Sequence, residues 1–150
     1  MQNADAIGSI VLSAHSLARI AAQDSGNEAP SAQWRALSTL AANGEMRLGA
    51  LAASARTTQP GMTRLVGALE QAGLVSRSPD PDDSRATLVA ATEAGIQALN
   101  DWRTELRDTL APRFADLSDQ DWAALHRAAE ILAAHTQNTN SINTTTGARA

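Results

Sequence analysis

The hydrophobic spacing of this chain leaves the helical period at one place. Apolar residues recur at helical intervals from Ile7 onward, but Leu74 to Ser78 and Arg85 to Ala90 have the short, closely spaced pattern of strands. Between them lies PDPDDS, a run dense in turn-forming residues. After Thr92 the helical period returns. Such a chain is mainly α, with one small exposed hairpin inserted between helices, and it shows no internal repeat. The expected order is four helices, a two-stranded hairpin, then two helices.

The individual helices follow from spacing and punctuation. Ile7, Ile10, Val11, Ala14, Leu17, Ala18 and Ala21 share one face of a first helix, which the polar stretch Asp24 to Pro30 should end. Ser31 can cap a second helix with Trp34, Leu37, Leu40 and Ala41 inside, and Asn43-Gly44 should stop it. A short third helix uses Leu48, Leu51, Ala52 and Ala55. The fourth places Met62, Leu65, Val66 and Leu69 on its core side and stops at Gly73. Thr92 can cap a long fifth helix carrying Ile96, Leu99, Trp102, Leu106 and Leu110. Ser118 and Asp121 resemble a capping box opening a sixth, with Trp122, Leu125, Ala129 and Leu132 inward. From Thr136 the tail TQNTNSINTTTGARA has nothing to bury and should be disordered.

Composition narrows the function classes. A length of 150 residues fits one domain, and 43% apolar with only 3% aromatic residues favours helices packed through small side chains. With no cysteine, disulfides, thiolate metal sites and thiol redox chemistry are excluded. No signal-peptide pattern and no run of roughly 18 apolar residues are present, so a soluble cytoplasmic protein without membrane contact is expected. The formal net charge of −4 argues against a protein that coats nucleic acid indiscriminately, while leaving room for a local basic face.

Such a face has an address. The fourth helix begins with ARTTQPGMTR, in which Thr58 suits an N-cap, Pro60 is tolerated in the first turn, and Gly61 strips away a side chain. Its free N–H groups and partial positive charge suit a phosphate, and Arg56 and Arg64 strengthen that field. Gln59, Thr63 and Arg64 fall outward near this end. Between Met46 and Ser78 four arginines face a single acid, Glu70, so this segment carries +3 while the whole chain carries −4. Short polar side chains and arginine at a positive helix tip are what a helix entering a DNA major groove needs. The third helix, the turn and the fourth helix make a helix-turn-helix, and the hairpin after it a wing.

Two other classes compete. For an enzyme, the chain offers His15, His126 and His135; the last two face opposite ways on one helix, and His126 with Glu130 supplies too few ligands for a metal. H-E-x-x-H, G-x-S-x-G and P-loop motifs are missing, so neither catalysis nor a metal or other cofactor is expected. The second competitor is a winged-helix module for protein–protein contact without DNA binding, because fold alone does not fix function.

The run LGALAASARTTQPGMTRLVGALEQAGLVSRSPDPDDSRATLVAATEAG resembles the core of the MarR family of winged helix-turn-helix regulators. The matching features are QP-x-M-T-R-L-V, LE-x-x-GLV, D-P-x-D-x-R and T-x-x-G at consistent spacing. The resemblance implies a sequence-specific, double-stranded-DNA-binding transcriptional regulator, a ligand-responsive repressor acting as a homodimer on a pseudo-palindromic operator. It implies one domain over residues 1–135, with dimerisation helices at 5–30 and 92–135, a winged helix-turn-helix at 31–91, and the polar tail at 136–150. It places Arg56, Thr57, Thr58, Gln59, Gly61, Thr63, Arg64, Arg77, Asp83, Ser84 and Arg85 at the DNA, with Asp83 bracing Arg85. Ser84 departs from a position where many members are basic, which implies a weaker or less salt-dependent wing. An amphipathic or aromatic effector is implied in a crevice between the first, second and fifth helices, where His15, Trp34 and Trp102 are the candidates.

Overall fold

The computed structural model describes residues 2–26 and 31–136. Its elements, in chain order, are α1 (Asn3–Ser25), α2 (Ser31–Asn43), β1 (Met46–Arg47), α3 (Leu48–Ser54), α4 (Gln59–Gln71), β2 (Val75–Asp80), β3 (Asp83–Ala91), α5 (Glu93–Leu110) and α6 (Asp119–Thr136). A single 3₁₀ turn, Ala111–Phe114, stands between α5 and α6. The chain divides into two compact units at Leu110.

In the first unit the core lies beneath the helix-turn-helix. Leu37 and Leu40 of α2, Leu51 and Ala52 of α3, Ala55, and Met62, Val66 and Leu69 of α4 are buried together with Val75, Val89 and Leu99. These are the positions at which apolar residues recur three and four apart, so burial of that stripe is what makes short helices persist. One expectation fails: Ala41 is exposed, and Ala36 takes the buried place on α2. The inward face of α2 is therefore turned about the helix axis to take in Ala36, Leu37 and Leu40.

Helix ends are set as the residues suggest. Gly44 and Gly73 take positive φ, both 75°, just beyond α2 and α4. The Thr92 hydroxyl accepts from the Gly95 N–H at 3.1 Å and donates to the Gly73 carbonyl at 2.6 Å. Capping α5 thus also pins it to the end of α4. A Cβ on Gly95 would lie 2.0 Å from the Leu74 carbonyl oxygen, so α5 crosses the start of β2 where only glycine fits. That is the physical content of the T-x-x-G motif.

The sheet exceeds expectation by one strand. β2 pairs antiparallel with β3, and β1 adds to the other side of β3, giving the order β1-β3-β2. Met46 pairs with Val89 and Arg47 with Leu88. The anticipated PDPDDS loop shrinks to a turn at residues 81–82, because pairing continues past Pro79, through a register shift, to Asp80 opposite Asp83. The Asp80 carboxylate stabilises that turn by accepting the Asp82 N–H at 2.9 Å.

In α1 only Ala21 is buried, while Ile7, Ile10, Val11 and Leu12 are exposed. In the second unit, Ser118 and Asp121 form the expected reciprocal cap: the Ser118 N–H and hydroxyl donate to the Asp121 carboxylate at 3.2 and 2.6 Å, and the Asp121 N–H donates back at 3.2 Å. The inward face expected for α6 is not covered. Trp122, Leu125 and Leu132 are 39%, 43% and 37% exposed, and Ala129 is exposed too. Helical spacing identifies an apolar face but not what lies against it. α6 also reaches Thr136, one residue into the expected tail; residues 137–150 and 27–30 lie outside the described residues.

Candidate nucleic-acid interface

The fourth helix begins as its sequence demands. Thr58 is extended, at φ −66° and ψ 154°, and its hydroxyl accepts from the Gly61 N–H at 3.2 Å, with Pro60 in the first turn. A Cβ on Gly61 would lie 3.0 Å from that hydroxyl and 3.1 Å from the Thr57 methyl, so the bare α-carbon serves the cap itself. Thr58, Gln59, Thr63 and Arg64 are exposed at this end. The Thr63 hydroxyl donates to the Gln59 carbonyl at 2.9 Å, leaving its lone pairs outward. Thr57 is half-buried and donates to the Ala55 carbonyl at 3.3 Å, so it belongs to the turn.

Gln59 and Thr63 open into a concavity of about 470 Å³ that also takes in Arg77, Asp83 and Arg85 of the hairpin and Arg47 of β1. Helix and wing therefore present one continuous surface. Thr57, Thr58, Gly61, Arg64 and Ser84 are not in its wall. Arg47 was not among the anticipated site residues; pairing of β1 with β3 brings it there, and the only signal in the sequence is its share of the local positive charge.

Two ion pairs bolt the wing to the helix-turn-helix. Arg47 Nε meets the Asp80 carboxylate at 2.6 Å, with the Asp80 side chain only 6% exposed. Arg77 meets Glu70 of α4 at 2.8 Å. The Arg77 hydrogen bond holds the Glu70 carboxyl below its usual range, and Glu70 raises the Arg77 guanidinium in turn. The Arg77–Glu70 pair, open on both sides, contributes little stability; its effect is to aim the Arg77 guanidinium. Asp83 behaves differently from the implied brace: its carboxylate accepts the Arg85 backbone N–H at 3.0 Å. The Arg85 side chain is exposed in the concavity.

Known proteins that this chain is similar to place it in a family. Residues 30–87 match the family model described as MarR family. An uncharacterized HTH-type transcriptional regulator of Mycobacterium bovis is 38% identical over 102 residues, 68% of this chain and 71% of that protein. The chain belongs to the MarR family. This MarR-family protein is a transcriptional regulator, and its relatives also include the HTH-type transcriptional repressor IacR of Pseudomonas putida, 29% identical over 67% of this chain and 60% of that repressor. Apo MarR from E. coli shares its fold, with a TM-score of 0.65 at 19% identity over 88% of this chain and 97% of that one.

This MarR-family chain has a second cavity in its first unit. α1, α2 and α5 enclose a crevice of about 1080 Å³ whose lining includes His15, Trp34 and Trp102. The two indoles stack, with centroids 5.1 Å apart and planes 10° from parallel. Arg19, Arg35 and Arg56 also line it, and among the described residues no carboxylate does. The structure thus puts Arg56 in the crevice wall, apart from the concavity that holds Gln59 and Arg85. Among the described residues no group of three or more His, Cys, Asp or Glu could hold a metal, and no helix is long and apolar enough to cross a membrane.

Proposed function

We propose that this regulator is a homodimeric, sequence-specific repressor that is released from DNA by a small amphipathic effector. The observation that carries the reading is the shared concavity: the tip of α4 and the wing offer Gln59, Thr63, Arg77 and Arg85 on one surface. Of these, Gln59, Thr63 and Arg77 lie within the +3 segment Met46 to Ser78 of a chain whose net charge is −4. In this reading α4 enters a major groove, Gln59, Thr63 and Arg64 meet base edges, and Arg85 with the wing tip meets the adjacent backbone. Thr57, Thr58, Gly61, Asp83 and Ser84 shape and position that surface, and Arg77 approaches the phosphates from its pair with Glu70.

A second copy is what the exposed apolar faces call for. All large hydrophobic side chains that are exposed among the described residues lie on α1 and α6, Ile7 at 60% and Leu12 at 70% being the most open. Large apolar patches on a folded chain mark association surfaces. Residues 1–135 then act as one functional domain whose terminal helices form the dimer base, as two reading helices about 34 Å apart would require. The similarity to the repressor from Pseudomonas putida supports the direction of control. Stacked tryptophans beside three arginines suit an aromatic acid, which makes the crevice the effector site.

The test is selection of binding sites from random duplex DNA followed by gel-shift titration. A recurring pseudo-palindrome, with Arg64→Ala weakening it by about 1–3 kcal/mol, supports the reading. An Arg64→Ala protein with unchanged affinity and site preference removes that residue from base reading. Failure to enrich any sequence removes the function.

A further inference from the structure

Arg56 is the one non-glycine residue at positive φ among the described residues, at 56°. The left-handed region costs a side-chain-bearing residue about 1–2 kcal/mol, and an arginine there lacks the local hydrogen bonding that favours asparagine or aspartate. Glycine would occupy this turn without cost. The segment from Ala55 to Thr58 joins α3 to α4, so its conformation sets where the reading helix points.

The arginine is tied to the crevice, where it stands with Arg19 and Arg35 and, among the described residues, with no acid. Arg35 has a second connection. Its Nε donates to the Ala55 carbonyl at 3.0 Å, across 20 residues, while Nη1 donates to the Ser31 hydroxyl at 3.2 Å. The same Ala55 carbonyl accepts the Thr57 hydroxyl at 3.3 Å. One guanidinium that lines the crevice therefore clamps the backbone on one side of Arg56. The strained residue itself also lines the crevice.

We infer that Arg35 and Arg56 form an anion-sensing latch, in which the carboxylate of an aromatic effector takes the Arg56 guanidinium and competes with the Ala55 carbonyl for Arg35. Trp34 and Trp102 supply the stacking surface for the ring. A guanidinium–carboxylate pair, charged on both sides, is stronger than the guanidinium–carbonyl bond it replaces, so the exchange runs toward the ligand. Losing the Arg35 bond frees the turn ahead of Thr58, and the tip of α4 loses its fixed orientation. This inference rests on the proposed effector response, and it assigns that response to two residues.

The experiment uses the full-length protein, 1-naphthoate, and uncharged 1-naphthalenemethanol as probes. Tryptophan fluorescence reports binding, and amide hydrogen exchange reports the turn. Wild type should bind naphthoate, and bind the alcohol about tenfold or more weakly. R56G should lose affinity for naphthoate by a similar factor and R56K should recover part of it. R56G relieves the strained φ, so it should melt no lower than wild type, which separates lost binding from lost folding. Naphthoate should speed exchange at residues 56–62 in wild type and have no such effect in R35M. Equal naphthoate binding by wild type and R56G, no binding to wild type, or slower exchange in the turn would each overturn the latch. Wild type that binds naphthoate in this way but ignores DNA would overturn the proposed repressor function instead, leaving the latch supported.

Discussion

At the scale of single residues, the account turns on side chains whose role depends on a close neighbour. Gly95→Ala would drive a methyl into the Leu74 carbonyl, where backbone rather than a flexible side chain is in the way. A loss of about 1–3 kcal/mol is expected in urea denaturation; unchanged stability would mean that α5 shifts freely. Arg47→Ala leaves the buried Asp80 carboxylate without its cation, and about 1–3 kcal/mol should be lost. Arg85→Ala should weaken DNA binding similarly on all sequences and lower the salt slope by about 1 for each phosphate contact removed. The exposure of Gln59, Thr63 and Arg85 on one concavity was legible, because helix phase and the wing motif place them outward. Arg47 was not, since only pairing with a strand some forty residues away brings it there. The backbone of Arg56 was illegible for another reason: its residue type argues against the conformation it adopts.

At the scale of elements, caps and turns do the positioning. Thr58→Ala removes the side-chain acceptor for the Gly61 N–H and should cost about 1 kcal/mol, seen as a lower melting temperature and weaker DNA binding together. In α6, hydrogen bonds from the Ser118 hydroxyl and backbone hold the Asp121 carboxyl below its ordinary range. A depressed folded pKa means the cap's stabilisation is fully present above the unfolded value and is lost as pH falls through the folded one. Ser118→Ala should move the Asp121 titration upward toward the ordinary carboxylate value, which carboxyl-carbon chemical shifts followed by NMR would show. Both caps were readable from Thr and Ser three residues ahead of the groups they serve. The two-residue β1 was not, because so short a strand has no periodicity and exists only through its partner. The wing turn was overestimated in length since Asp80, by holding the Asp82 N–H, lets pairing run on through residues that favour turns in isolation.

At the scale of the whole molecule, the helical faces of α1 and α6 were readable as apolar, yet helical phase is silent about whether a face meets its own chain or another. Exposure of Ile7, Val11, Leu125 and Ile131 points to a second copy, and substituting aspartate at Leu12 and Leu125 should shift the protein toward a monomer in sedimentation velocity. Net charge says where DNA would sit only after it is resolved along the chain: Met46 to Ser78 carries +3 while the whole chain carries −4. The most direct test is a titration of wild-type protein onto a duplex carrying the pseudo-palindrome recovered by selection, at several salt concentrations. The account predicts two chains per duplex, with log affinity falling linearly with log salt and strong preference over scrambled sequence. One chain per duplex, equal affinity for scrambled DNA, or no binding at low salt would contradict it.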